Sequence, residues 1–201
     1  MLERFREFWT RLITPLARLL LRLGVSPDAV TLVGTLGVAA GALLFFPHGQ
    51  FVVGALFVTA FAFSDLVDGH MARLSGRCSP WGAFLDSTLD RVGDAAVFAG
   101  LVLWFAGTGD SIWLAALALY DLVLGNLTSY TRARAESLGM QARGGVAERA
   151  DRLALVLVAT FFTGVLNFPA LLVAALLLLA VASTVTVAQR SVMVYRQAFP
   201  T

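Results

Sequence analysis

The chain has 201 residues, of which 58% are hydrophobic and only 14% charged, with a formal net charge of +2. That balance excludes an ordinary soluble globular domain and gives no basis for a nucleic-acid partner; it describes one polytopic membrane domain over residues 1–201. The single cysteine, Cys78, excludes an internal disulfide.

In chain order, residues 1–24 come first. Leu2, Phe5, Phe8, Trp9, Leu12, Ile13, Leu16, Leu19, Leu20 and Leu23 recur at helical spacing, interrupted by arginines at 4, 6, 11, 18 and 22. Those arginines spoil the apolar core of a cleavable signal, and the pattern predicts an amphipathic helix lying in the membrane interface. Six spanning helices are expected next, at about 28–46, 51–75, 81–105, 111–138, 146–166 and 169–195, each near the roughly 20 residues that a hydrocarbon core requires. Turns at 47–50, 107–110 and 163–169 alternate with polar connections, the longest at 139–145. The expected fold is therefore an all-α integral membrane protein, a six-helix bundle over 28–195 behind an interfacial helix.

Orientation follows from arginine, since the chain contains no lysine. With six spans, Arg4 to Arg22, Arg73, Arg77, Arg91, Arg132 to Arg152, Arg190 and Arg196 all fall on one side, and the three opposite turns hold none. By the positive-inside rule this predicts cytoplasmic termini in a cell membrane.

The chemistry concentrates in residues 65–90, DLVDGHMARLSGRCSPWGAFLDSTLD. Asp65 and Asp68 stand at i, i+3 on one helical face; Asp86 and Asp90 stand at i, i+4 on another. Gly76, Ser79 and Pro80 between them turn the chain and bring two helix ends together. Four converging carboxylates repel one another unless cations sit between them. An all-oxygen set without His or Cys favours hard ions, Mg²⁺ first and Mn²⁺ or Ca²⁺ after it. At the cytoplasmic edge of a bilayer, such a cage suits a lipid with a polyanionic head.

The complete pattern is D-x2-D-G-x2-A-R-x8-G-x3-D-x3-D, filled by Asp65, Asp68, Gly69, Ala72, Arg73, Gly82, Asp86 and Asp90. It resembles the signature of the CDP-alcohol phosphotransferase family without a substitution. The resemblance implies a donor, CDP-diacylglycerol, an alcohol acceptor, CMP as leaving group and two metal ions. It implies Asp65, Asp68, Asp86 and Asp90 as metal ligands, with Asp90 as the base that takes the acceptor's proton. For the small residues, bare helix surface lets a donor approach at Gly69 and Ala72 and a neighbouring helix at Gly82, and Arg73 can pair with phosphate. Pro27, Asp28 and Thr31 match the family's P-N/D-x-x-T element, which implies Asp28 and Thr31 as donor contacts; Ser79 is a further candidate. Ser26 with Pro27 also reads as an ordinary helix start.

The acceptor end lies in SYTRARAE (129–136) and GGVAERADR (144–152), with Arg190 later in the chain. Topology alone explains arginines there, but Arg132, Arg152 and Arg190 are flanked by apolar helix, and together they predict a pocket for a second phosphate. The runs SYTRARAESLG, GGVAERADRL and GALLFFPHG resemble the actinobacterial branch of the family that uses inositol phosphate, the phosphatidylinositol phosphate synthases. That similarity implies inositol phosphate as acceptor, bound by Arg132, Arg152 and Arg190, and a homodimer. Arg132 stands where that branch more often has lysine. Glycerol phosphate is the alternative acceptor, and a cation-coupled transporter the alternative of another class; the latter predicts acids at the membrane midplane rather than at helix ends.

The remaining polar residues carry plainer expectations. His48 and His70 have no metal partner, Arg91 and Asp94 are expected to pair with neighbours, and Trp9, Trp81, Trp104 and Trp113 to anchor the interface. Asp121, an ionisable group inside an apolar helix, is unassigned by the sequence.

Overall fold

Helix follows wherever apolar runs are bounded by caps. The computed structural model describes residues 13–76 and 79–199. Residues 1–12, which include Trp9 and the first half of the expected interfacial helix, lie outside the described residues, as do Arg77 and Cys78.

Among the described residues all regular structure is helical: a segment at 13–22, then α1 (Pro27–Phe45), a 3₁₀ turn (Phe46–His48), α2 (Phe51–Ala62), α3 (Ser64–Ser75), α4 (Pro80–Ala106), α5 (Ile112–Ser137), α6 (Arg149–Leu166) and α7 (Ala170–Ala198). Four stretches are long and apolar enough to cross a membrane: 27–48, 51–75, 112–137 and 170–198. The other two expected spans, α4 and α6, carry charge along the helix, Asp86, Asp90, Arg91 and Asp94 in one and Arg149, Asp151 and Arg152 in the other. The protein is thus a helical membrane protein.

One expected span contains an interruption, and one expected boundary is corrected. The helix expected over 51–75 is interrupted at Phe63, where Leu66 N–H donates to the Phe63 carbonyl three residues back, at 3.1 Å. This tightened turn falls just before Asp65, with neither Pro nor Gly to announce it. The helix expected from residue 146 starts at Arg149, because Val146 and Ala147 N–H groups are held by the Thr186 hydroxyl at 3.1 and 3.2 Å. Glu148 N–H then donates to Asp151 Oδ2 at 3.2 Å, fastening the new helix start.

The chain forms two compact units, the first made of residues up to Gly41 with Phe57–Gly93, the second of Ala42–Leu56 with Asp94 onward. In the first, the segment 13–22 packs Ile13, Ala17, Leu20 and Leu21 against Val30, Val67 and Met71. Leu16, Leu19 and Leu23 form its exposed apolar side, which suits a lipid surface. His70 hydrogen-bonds Thr14 at 2.9 Å. Gly34, Gly37 and Gly41 lie on one face of α1 and face Ser64, Phe61 and Phe57 so closely that a methyl group at Gly34 would overlap the Ser64 hydroxyl.

In the second unit α5, α6 and α7 pack on one another. Phe51 stacks edge-on against Trp104 at 4.7 Å, so Trp104 is packed in aromatic contact, whereas Trp113 is 83% exposed.

Candidate metal centre and phosphate pockets

The first pocket is built at the meeting of three helix ends in the first unit. α1 begins at Ser26, whose hydroxyl accepts from Ala29 N–H at 3.2 Å, with Pro27 in the first helical position. α3 ends at Gly76 in the left-handed conformation, φ 65°. α4 begins after Ser79, whose hydroxyl accepts from Gly82 N–H at 3.0 Å. Ser79 and Ser26 therefore both serve as helix starts.

These ends enclose a cleft of about 380 Å³. Its lining includes Pro27, Asp28, Thr31, Asp65, Asp68, Gly69, Ala72, Arg73, Ser79, Gly82 and Asp86. Every residue expected to touch the donor is among them. Thr31 is buried and donates to the Pro27 carbonyl at 3.1 Å. Over Gly69 the Arg73 guanidinium would stand 3.5 Å from an added Cβ, and at Gly82 an added Cβ would stand 3.4 Å from Ser79 Oγ and 3.8 Å from Asp28 Oδ1. The two glycines keep cleft space open between charged and polar groups.

Asp65, Asp68 and Asp86 each place a carboxylate oxygen within 4.8 Å of the others. Two oxygens on opposite sides of a hard divalent ion with bonds of about 2.1 Å stand about 4.2 Å apart, so this triangle has the size of one ion's coordination shell. Asp68 is 5% exposed, and its Oδ2 has no hydrogen-bond partner among the described residues. A buried, unsatisfied carboxylate oxygen facing two other carboxylates fits a cation and fits little else. Asp90, expected as a fourth ligand, is not part of this triangle. It lies one turn along α4, with Oδ2 paired to Arg91 at 3.3 Å.

The arginines expected to bind the acceptor lie in the second unit. Arg152 is 4% exposed and donates to Thr128 Oγ1 at 2.9 Å, the Gly125 carbonyl at 3.2 Å and the Ala147 carbonyl at 3.4 Å. Arg190 is 5% exposed and donates to the Gly144 carbonyl at 3.0 Å and to the Thr128 carbonyl. Arg132, one turn beyond Thr128, is the outermost of the three; its side chain is 46% exposed and binds Glu136 at 3.1 Å. Asp94 pairs with Arg149 at 3.3 Å.

Sequence reasoning missed Thr128, Gly125 and Thr186, which organise the surroundings of these arginines. Thr128 joins both buried arginines, Gly125 leaves room for Arg152, and Thr186 holds the loop whose Gly144 and Ala147 carbonyls receive Arg190 and Arg152 respectively. A small or hydroxylated residue in an apolar helix gave no separate signal.

A family model for CDP-alcohol phosphatidyltransferases matches residues 24–188. The phosphatidylinositol phosphate synthase of Streptomyces avermitilis is 53% identical over 98% of this chain and 84% of its own length. That of Cutibacterium acnes is 50% identical over 98% of each chain. Among solved structures, the Mycobacterium tuberculosis phosphatidylinositol phosphate synthase with CDP-DAG bound superposes with a TM-score of 0.87 at 42% identity, covering 92% of this chain and 94% of that one. The same enzyme in complex with manganese and citrate gives 0.85 at 43% identity, covering 91% and 88%.

Proposed function

The chain belongs to the CDP-alcohol phosphatidyltransferase family, and from that premise we propose that it transfers the phosphatidyl group of CDP-diacylglycerol to a hydroxyl of an inositol phosphate, releasing CMP. The observation that carries the reading is the union of a three-carboxylate triangle with a donor-sized cleft. The names of the S. avermitilis and M. tuberculosis relatives support the acceptor.

Asp65, Asp68 and Asp86 would hold divalent metal, and Asp90 would complete the set of ligands. Mg²⁺ is the expected ion, Mn²⁺ a substitute, and two ions the expected number. Bound there, the metal supplies Lewis-acid polarisation of the donor's phosphorus and charge neutralisation of departing CMP. Asp28, Thr31, Gly69, Ala72, Ser79 and Gly82 bind and orient the cytidine and pyrophosphate, and Arg73 offers paired N–H donors to phosphate. Asp90 accepts the proton of the attacking hydroxyl. Arg132, Arg152 and Arg190 hold the acceptor's own phosphate, which leaves the reaction unchanged in the product head group.

The arginine partition supports six spans with both termini and the site on the cytoplasmic side of the cell membrane. Residues 1–201 act as a single CDP-alcohol phosphotransferase domain, and the assembly is a homodimer.

The test is CMP release by purified protein with CDP-diacylglycerol and Mg²⁺, offering inositol phosphate, free inositol or glycerol phosphate. Only inositol phosphate is expected to support turnover, and Asp90→Asn and Arg152→Ala to abolish it. Preference for glycerol phosphate would overturn the acceptor, and silence with every alcohol the transferase reading.

A further inference from the structure

Asp121 is 1% exposed in the middle of α5, and neither of its carboxylate oxygens has a hydrogen-bond partner among the described residues. A buried carboxylate in an apolar helix is expensive and persists where its charge has a use. Asp121, Gly125 and Thr128 share one face of α5, at i, i+4 and i+7. Arg152 lies along that face. Its guanidinium passes over Gly125, where an added Cβ would stand 3.5 Å from Nε and 3.7 Å from the terminal nitrogen, and ends on Thr128. Asp121 occupies the next turn beneath it. Arg152 also borders a void of about 10 Å³ with Asp94, Gly125, Leu122 and Asn126, room for about one water; Asp121 and Arg152 are themselves buried, so little solvent screens the two charges.

Hydrogen bonds to Thr128 Oγ1 and to the Gly125 and Ala147 carbonyls help hold Arg152 in place. Asp121 acts on it through space and not by contact. We propose that Asp121 is a resident counter-charge that weakens the arginine pocket's hold on phosphate. The inference rests on the reading of Arg152 and Arg190 as the acceptor-phosphate pocket. Its logic is chemical: the acceptor's phosphate survives into the product, so a pocket that grips it tightly in the substrate grips it equally in the product. Uniform binding of that kind lowers KM without helping the chemical step, and slows release. A fixed negative charge beneath the pocket offsets part of the attraction in both states.

Neutralising Asp121 therefore tightens binding, where loss of a merely structural residue loosens it. The experiment measures inhibition by inorganic phosphate, acceptor KM and kcat for the wild type, Asp121→Asn, Asp121→Glu and Arg152→Ala, with melting temperature alongside. For Asp121→Asn the inhibition constant of phosphate and the acceptor KM should fall about tenfold, the scale of one unit charge acting through weakly screened protein. Its kcat should fall as well, with donor KM unchanged. Asp121→Glu retains the charge and should behave like the wild type. Unchanged or weaker phosphate binding in Asp121→Asn overturns the inference, as does an Asp121→Glu variant that binds like Asp121→Asn. Asp121→Leu serves as a second neutral variant; if both neutral variants fail to fold while Asp121→Glu folds, the carboxylate is a folding requirement and the inference falls. If Arg152→Ala binds phosphate as tightly as the wild type, the acceptor-pocket reading itself fails, a result separate from any outcome at Asp121.

Discussion

Arg152 on α6 and Arg190 on α7 end on the same residue of α5, Thr128, one on its side-chain oxygen at 2.9 Å and the other on its carbonyl. Two buried guanidinium groups, which repel as charges, are thereby held close by a neutral hinge residue that also donates its hydroxyl to the Gly125 carbonyl at 2.8 Å.

Thr128→Val keeps the size and the carbonyl but removes the hydroxyl that receives Arg152. A hydrogen bond to a charged group is worth about 1.5–3 kcal/mol, so acceptor KM should rise about tenfold or more. Donor KM should stay constant and Thr128→Ser should recover most of the loss. Steady-state kinetics varying each substrate in turn checks this.

Asp68 is the buried corner of the carboxylate triangle. In metal-free protein Asp68→Asn relieves repulsion and should leave the melting temperature equal or higher. The wild type should gain stability on adding Mg²⁺ or Mn²⁺ by simple mass action. Asp68→Asn should lose that gain and at least about a hundredfold in activity. Thermal denaturation with and without a chelator separates the two effects.

Gly82→Ala places a methyl group at ordinary contact distance from Ser79 and Asp28, inside the cleft. The fold should tolerate it with little change in melting temperature, since no neighbour must move. The donor's head group loses that space, so CDP-diacylglycerol KM should rise several-fold while acceptor KM does not. Gly82→Ala thus reads donor binding apart from stability.

Gly145 has φ 134°, outside the range that side chains readily adopt, and a Cβ there would run into Thr186. Gly145→Ala should cost about 1–3 kcal/mol and displace the loop whose Gly144 and Ala147 carbonyls receive Arg190 and Arg152. Lower melting temperature together with higher acceptor KM is the expected result, read by denaturation and kinetics on the same preparation.

The donor cleft was legible because its parts are local in sequence. Asp65, Asp68 and Asp86 fall on two consecutive helices with Gly76 and Ser79 between them, close enough in sequence for helical spacing and one turn to align their side chains, whereas Asp90, expected with them, stands outside the triangle. Asp28 and Thr31 joined them only through family resemblance. The second pocket was legible in its charges and not in its construction. Arg152 and Arg190 stand out in apolar sequence, but Thr128 lies 24 and 62 residues away from them, and only packing of α5, α6 and α7 selects it. The interruption at Phe63 and the late start of α6 were hidden for a similar reason. The first has no breaker residue, and the second depends on Thr186, distant in the chain, capturing two backbone N–H groups.

The central claim, that phosphatidyl is transferred to inositol phosphate, is tested most directly by identifying the lipid product. Purified protein would receive CDP-diacylglycerol and Mg²⁺ with equimolar inositol phosphate, free inositol and glycerol phosphate in one reaction, followed by mass spectrometry of the extracted lipid. The account predicts one dominant product, a phosphatidyl lipid carrying inositol and a second phosphate. Phosphatidylinositol or phosphatidylglycerol phosphate as the main product would contradict it.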